Sequence, residues 1–376
     1  MQVPTGWRSL RGLRRVSLAC AAGLGLVAIA SAQTASRLAF PYYTAEQALT
    51  GLYARQLPPR AQAFDVSAQA LVQATQAHCQ ARIGKDALHT QWQQTLLRWQ
   101  ALATPAVGPL LQRRSQRQID FWPVRPNLID KALKGTPREL ADMARVGTPA
   151  KGFAGFEYLL AESPAAGLQG EAHRGRCAYA VLVAQGIAAE AGALRAEFAA
   201  LVQRNWQVDE ESADAPARVA QTGAAFAEWV NQWLGGLERL RWLQMEQPLV
   251  KAQTAGKPPA FPRQDWADNL ADWRAQWESL RAQALLGDPQ TAPPVPGQDF
   301  VPIEALLYGK GQVQLAARWR QAITVADAAM SGLSATYNPK ELEAATRKLK
   351  ELTVLYQQQV ATALDVPLGF SDADGD

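Results

Sequence analysis

The sequence predicts an all-α protein built as two pseudo-symmetric helical bundles, and three observations carry that prediction. Apolar residues recur at spacings of three and four through nearly every long segment after residue 44. No run alternates apolar and polar residues for long enough to make a sheet. Finally, Gly152 to Leu160 can be laid over Asp299 to Leu307 without a gap, at a constant offset of 147, the distance from Glu157 to Glu304. Phe153, Glu157, Leu159 and Leu160 recur there as Phe300, Glu304, Leu306 and Leu307, each block just ahead of a long helix. Such a repeat points to an internal duplication.

The 376 residues are enough for one large or two ordinary domains with sizeable cores. The amino end reads as a cleavable secretory leader over residues 1–32. Arg8, Arg11, Arg14 and Arg15 form its charged part, Val16 to Ala30 its apolar part, and Ala30-Ser31-Ala32 its small-residue cleavage site. The apolar run is too short to span a bilayer comfortably. Removing the leader's four arginines from 38 basic residues leaves basic and acidic residues balanced at 34 each. A pI of about 9.0 therefore describes the precursor. The mature chain has no net positive charge to draw nucleic acid or anionic membranes, and no membrane span is expected in it. Cys20 leaves with the leader; Cys79 and Cys177 remain, and in an exported protein such a pair is expected as a disulfide.

The elements follow in order. Thr44-Ala45-Glu46-Gln47 is a capping box that opens the first short helix. Phe64, Leu71 and Val72 mark the next helix, and Leu88, Trp92, Leu96 and Trp99 the third, with Asp86 as its cap. In Ile119 to Ile129, Pro123 and Pro126 exclude a continuous helix, so Trp122 and Arg125 ride on a rigid irregular segment. Long helices are expected over 177–206 and 217–245. A stretch rich in Pro, Lys and Gly at 246–262 is the expected joint between bundles at 33–247 and 263–376. Another helix carries Trp266, Trp273 and Trp277; a proline-rich loop spans 288–297, and helices near 311–332 and 339–362 close the chain. Eight of the twelve tryptophans fall within helical stretches, often four or seven residues apart. That spacing belongs to bundle cores rather than to stacking sites.

The centre of the chain is Val146 to Glu162. Thr148-Pro149 reads as a helix start, and Phe153, Phe156, Leu159 and Leu160 form one apolar stripe. Glu157 lies inside that stripe. Either it turns outward or pairs with an arginine in a tightly packed core helix, or it is a carboxylate held in an interior site. Gly152 and Gly155 sit beside it, each costing about 1 kcal/mol in a helix, which is tolerated where another backbone or a ligand comes close. This segment resembles the Gly-x-His-x-x-Glu signature of the imelysin family, falling on Gly152, Ala154 and Glu157. The Trp122-Pro123 stretch ahead of it, the two related halves and the ending Leu368 to Asp376 are similar to that family as well. The resemblance implies a periplasmic two-bundle protein, named first as a peptidase and linked to iron uptake. It implies iron or another divalent metal on the signature, but Ala154 stands where the family has its histidine, and that removes the best ligand beside Glu157.

Other chemistry is thinly supported. The three histidines are His78, His89 and His173. On one helix His78 and His89 would be about 16 Å apart, too far to share a metal. His173 either approaches Glu157 or lies on the surface at a helix start. No nucleophile motif, phosphate loop or haem-attachment motif occurs. The expected function is an exported imelysin-like binding protein without turnover, its ligand in a polar interior cleft formed by Trp122, Arg125, Gly152, Glu157 and Glu304. Arg125 is the expected counter-charge of Glu157, and Glu157 the one expected metal ligand. The alternatives are a metallopeptidase and a docking partner of an exported redox or transport protein.

Overall fold

The structure is a computed structural model and describes residues 39–161, 171–287 and 292–369, with the backbone alone for 171–173. The leader, the side chain of His173, the start of the proline-rich loop and the acidic ending from residue 370 lie outside the described residues.

Among the described residues the regular structure is helical throughout, with no strand. The helices are α1 (Ala45–Gly51), α2 (Leu57–Cys79), α3 (Lys85–Ala103), α4 (Pro109–Gln112), α5 (Ser115–Ile119), α6 (Pro126–Gly135), α7 (Gly152–Ala161) and α8 (Glu171–Val202). They are followed by α9 (Ala215–Glu238), α10 (Gln247–Ala255), α11 (Trp266–Ala284), α12 (Ile303–Gly309), α13 (Val313–Ser331), α14 (Pro339–Leu355) and α15 (Ala361–Ala363). Wider π-type turns at Leu52–Gln56, Arg239–Glu246 and Tyr356–Val360 carry the chain from one helix into the next without a break. The Thr44–Gln47 capping box forms as expected. Asp86 does not cap α3: Gly84 holds that position, and Asp86 falls in the first turn.

α2 packs along α3 and α8, and α7 closes that group against α3 and α8. α9, α11, α13 and α14 pack on one another, with α12 on α13. α11 also lies along α3, so one core runs through both groups, and the chain from Ala39 onward is one compact unit. α10 occupies half of the stretch expected as a joint. Seven of the eight helical tryptophans are buried; Trp242 is half-exposed. α8 is long and apolar enough over Arg174–Val202 to cross a membrane. Tyr179, Val183, Ile187, Leu194 and Phe198 on it are buried in the core.

The disulfide forms. Cys79 at the end of α2 and Cys177 on α8 are bonded, their Cα atoms 5.7 Å apart. It closes a loop between residues 98 apart in sequence.

Candidate functional site

The central segment folds differently from its expected helix start. Thr148–Ala150 form a single 3₁₀ turn without a side-chain cap. Gly152 then takes φ +70°, a left-handed backbone that glycine adopts freely, and any Cβ there would collide with the Ile119 carbonyl. Gly152 therefore serves the backbone path. That turn starts α7 at Gly152 and points Glu157 inward, 5% exposed.

Glu157 has one hydrogen-bond partner among the described residues: its Oε1 accepts the backbone N–H of Gln264 at 2.7 Å. Burial pushes its carboxyl up to about 7, against the pull of the nearby Arg263 charge and the Gln264 N–H. Asp268 and Asp265 push in the same direction as burial. Two of the three Arg263 nitrogens are engaged elsewhere. Its Nε donates to Asp272 at 2.6 Å and its Nη2 to Asp120 at 2.8 Å, all three groups being buried. Burial opposes the Arg263 charge, but Asp120, Asp272 and Glu157 outweigh it and hold the guanidinium protonated. A second buried arginine, Arg239, donates through Nη2 to Gln100, Thr104 and Gln276. Gln276 in turn donates to Asp272 and Gln244. A polar network thus runs through the core where α3, α9 and α11 meet, in which Arg263, Asp120 and Asp272 neutralise one another, while Arg239 has only neutral hydrogen-bond acceptors among the described residues.

Beside Glu157 lies the one group of metal-ligating side chains found among the described residues. His89 on α3, Asp265 at the start of α11 and Asp268 one turn on bring their ligand atoms within 4.8 Å of one another. His89 Nε2 is 2.8 Å from Asp268 Oδ2, and Gln93 Nε2 donates to Asp268 Oδ1 at 2.7 Å. Asp268 is 1% exposed and held rigidly, whereas Asp265 is exposed and faces water. One imidazole and two carboxylates suit a divalent transition metal. The residues present therefore fit a metal ion, although Ala154, 2% exposed, contributes no ligand from the signature position. Glu157 is not one of the three clustered groups.

The other expected residues separate. Arg125 does not pair with Glu157: its side chain is exposed, and its backbone N–H donates to the Pro149 carbonyl. Pro126 starts α6 and turns Arg125 outward as the residue before the helix. Glu304 is buried in a separate arrangement with Arg320 on α13 and the Leu286 N–H, and shares no partner with Glu157. Trp122 is half-exposed and lines a cleft with Arg263 and Asp120. Sequence reading missed Arg263, Asp120, Asp272 and the His89 cluster. Asp265 and Asp268, three apart at a helix start, share one face and were detectable; that His89 faces them was not.

The fold and site thus define an all-helical protein with a paired charge network in its core and a His–Asp–Asp cluster beside a buried glutamate. The imelysin family model (Peptidase M75) matches residues 58–365, and the chain belongs to that family. An imelysin-like protein from Psychrobacter arcticum 273-4 superimposes with a TM-score of 0.66 at 18% identity, covering 87% of this chain and 98% of the other. A protein from Parabacteroides distasonis ATCC 8503, assigned as an iron-regulated protein A precursor, gives 0.62 at 14% identity, covering 87% and 96%. At such identities the likeness is one of fold. No curated protein matches the chain.

Proposed function

We propose that this protein is an exported metal-binding protein that holds a divalent transition-metal ion at His89, Asp265 and Asp268 and does not turn over a substrate. The observation that carries the reading is the 4.8 Å convergence of those ligand atoms around a buried, immobilised Asp268. Export rests on the leader read from residues 1–32. Iron(II) is the ion favoured, from the family's association with iron uptake and the name of the Parabacteroides protein. His89 would supply the neutral nitrogen and the two aspartates the charge, with water completing the shell on the exposed Asp265 side. Glu157, with one oxygen uncommitted, would accept a proton from a bound water or stay protonated beside it.

Calorimetric titration of chelator-treated mature protein with iron(II), manganese(II) and zinc(II) tests the reading. About one equivalent should bind with a submillimolar Kd, and His89→Gln should abolish it while the protein stays folded. Unchanged binding in that variant, or none in the parent, sinks it. One observation favours the metallopeptidase alternative: a carboxyl poised near 7 beside a metal cluster has the properties of a general base. Metal-dependent cleavage of an unfolded protein substrate, lost in Glu157→Gln, would establish that alternative.

A further inference from the structure

A large cleft lies apart from the His89 cluster. It measures about 970 Å³, the size of a small-molecule site, and neither Glu157 nor any of the three clustered ligands lines it. Arg263 and Asp120 form part of its wall, and Arg114, Arg117 and Trp122 lie around them.

The charge of this wall is one-sided. Three arginines face a single carboxylate, Asp120, whose oxygens are already used from within. Asp120 Oδ1 accepts from Arg263 Nη2, and Oδ2 accepts from Trp99 Nε1 at 3.0 Å and Gln100 Nε2 at 2.9 Å. Arg114 and Arg117 are exposed and form no ion pair among the described residues, although their neighbour Arg113 is paired with Glu190 and Glu197. Arg263 is 3% exposed, and its Nη1 has no hydrogen-bond partner among the described residues. A buried guanidinium nitrogen without an acceptor is disfavoured, and a ligand oxygen would relieve it. Arg114 also has φ +52°, a backbone that non-glycine residues rarely adopt, and it opens α5 directly at the cleft. The remaining wall includes Leu110, Leu243 and the rings of Phe121 and Trp122. These surfaces suit a flat apolar body next to the donors.

We propose that this cleft binds a small carboxylate with a flat apolar body, its acid group held by Arg114, Arg117 and the free nitrogen of Arg263, its ring against Trp122 and Phe121. Guanidinium and carboxylate match in two-pronged geometry, and aromatic walls select flat ligands. The assignment does not depend on metal at the His89 cluster.

Calorimetry on chelator-treated mature protein with naphthalene-2-carboxylate and naphthalene-2-carboxamide as probes tests it. The acid should bind in the range of about 0.1 mM and the amide at least about tenfold more weakly. Arg114→Gln with Arg117→Gln changes exposed side chains only; it should weaken the acid at least about tenfold and leave the amide unchanged. Trp122→Ala should weaken both probes. Arg347→Gln, an exposed arginine on α14, should change neither. Equal binding of acid and amide overturns the proposal, as does an acid that fails to bind below about 5 mM, or a double variant that binds it like the parent.

Discussion

Glu304 and Glu157 occupy matching places in two repeated blocks, both buried and both accepting a backbone N–H, yet they live in different company. Arg320 reaches Glu304 with two arms, Nε to Oε1 at 2.6 Å and Nη2 to Oε2 at 2.5 Å, and Leu286 N–H closes the arrangement at 3.0 Å. Every lone pair that matters there is used. Burial raises the Glu304 carboxyl, and the Arg320 hydrogen bonds pull against it. Among the described residues Glu157 has the Gln264 N–H alone, because the nearby Arg263 turns its Nε and Nη2 to Asp272 and Asp120. One block has become a structural clamp, and the other keeps a carboxyl that titrates near neutrality. A motif that recurs in the sequence thus preserves the position of an acid without preserving its chemistry, which the neighbouring helix decides.

Breaking the clamp should give the largest effect. Arg320→Met leaves Glu304 buried and unpaired, and a loss of about 4 kcal/mol in unfolding free energy is expected, read from urea midpoints. Adding Glu304→Gln should recover a good part of that loss, since the stranded charge is gone. Additive losses would mean that the two side chains do not depend on each other.

Next in size is the covalent tie, which belongs to the Glu157 region: Cys79 and Cys177 join α2 to α8 there. Thiol titration of denatured, unreduced mature protein should find essentially no free thiol. Replacing both cysteines by serine should cost about 3 kcal/mol, through a less constrained unfolded chain. An unchanged midpoint would show that packing alone holds these helices.

The pH dependence of Glu157 gives a smaller, signed test. Its folded value of about 7 lies above its ordinary 4.5, so the folded state binds the proton more tightly than the unfolded chain. Its contribution to stability is full below pH 4.5 and is lost as the pH rises through 7. That shift corresponds to at most about 3 kcal/mol. In chelator-treated protein, Glu157→Gln should flatten the parent's decline over that window. A parallel decline in both proteins would remove Glu157 as its source. The smallest effect is expected from Arg125→Met, within about 0.5 kcal/mol and additive with Glu157→Gln, as suits an exposed side chain. Strong coupling between those two would restore the pairing that the structure denies.

Much of this molecule was legible without coordinates, for a common reason. Helical periodicity, the Thr44 capping box and the tryptophan stripes depend on neighbours three to eight residues away, so they are written locally, and the Phe153–Leu160 repeat is read by laying two stretches of the sequence over each other. The Cys79–Cys177 bridge followed from counting, since the expected removal of residues 1–32 leaves two cysteines and one pairing. The apolar stripe placed Glu157 among inward-facing residues but left open whether it turned outward, and the structure buries it. Its partners were not legible. Gln264 and Arg263 come more than a hundred residues later, and the packing of α11 along α3 alone brings them, Asp268 and His89 to the same place. Arg125 was nearer in sequence, but Pro126 begins a helix that turns it to solvent. The sequence by itself determined the helices, the repeat and the bridge, because these answer to local spacing and to a count. Only the tertiary structure decided which of two equivalent glutamates was clamped and which left open, because a buried charge answers to whichever distant helix supplies its counter-charge.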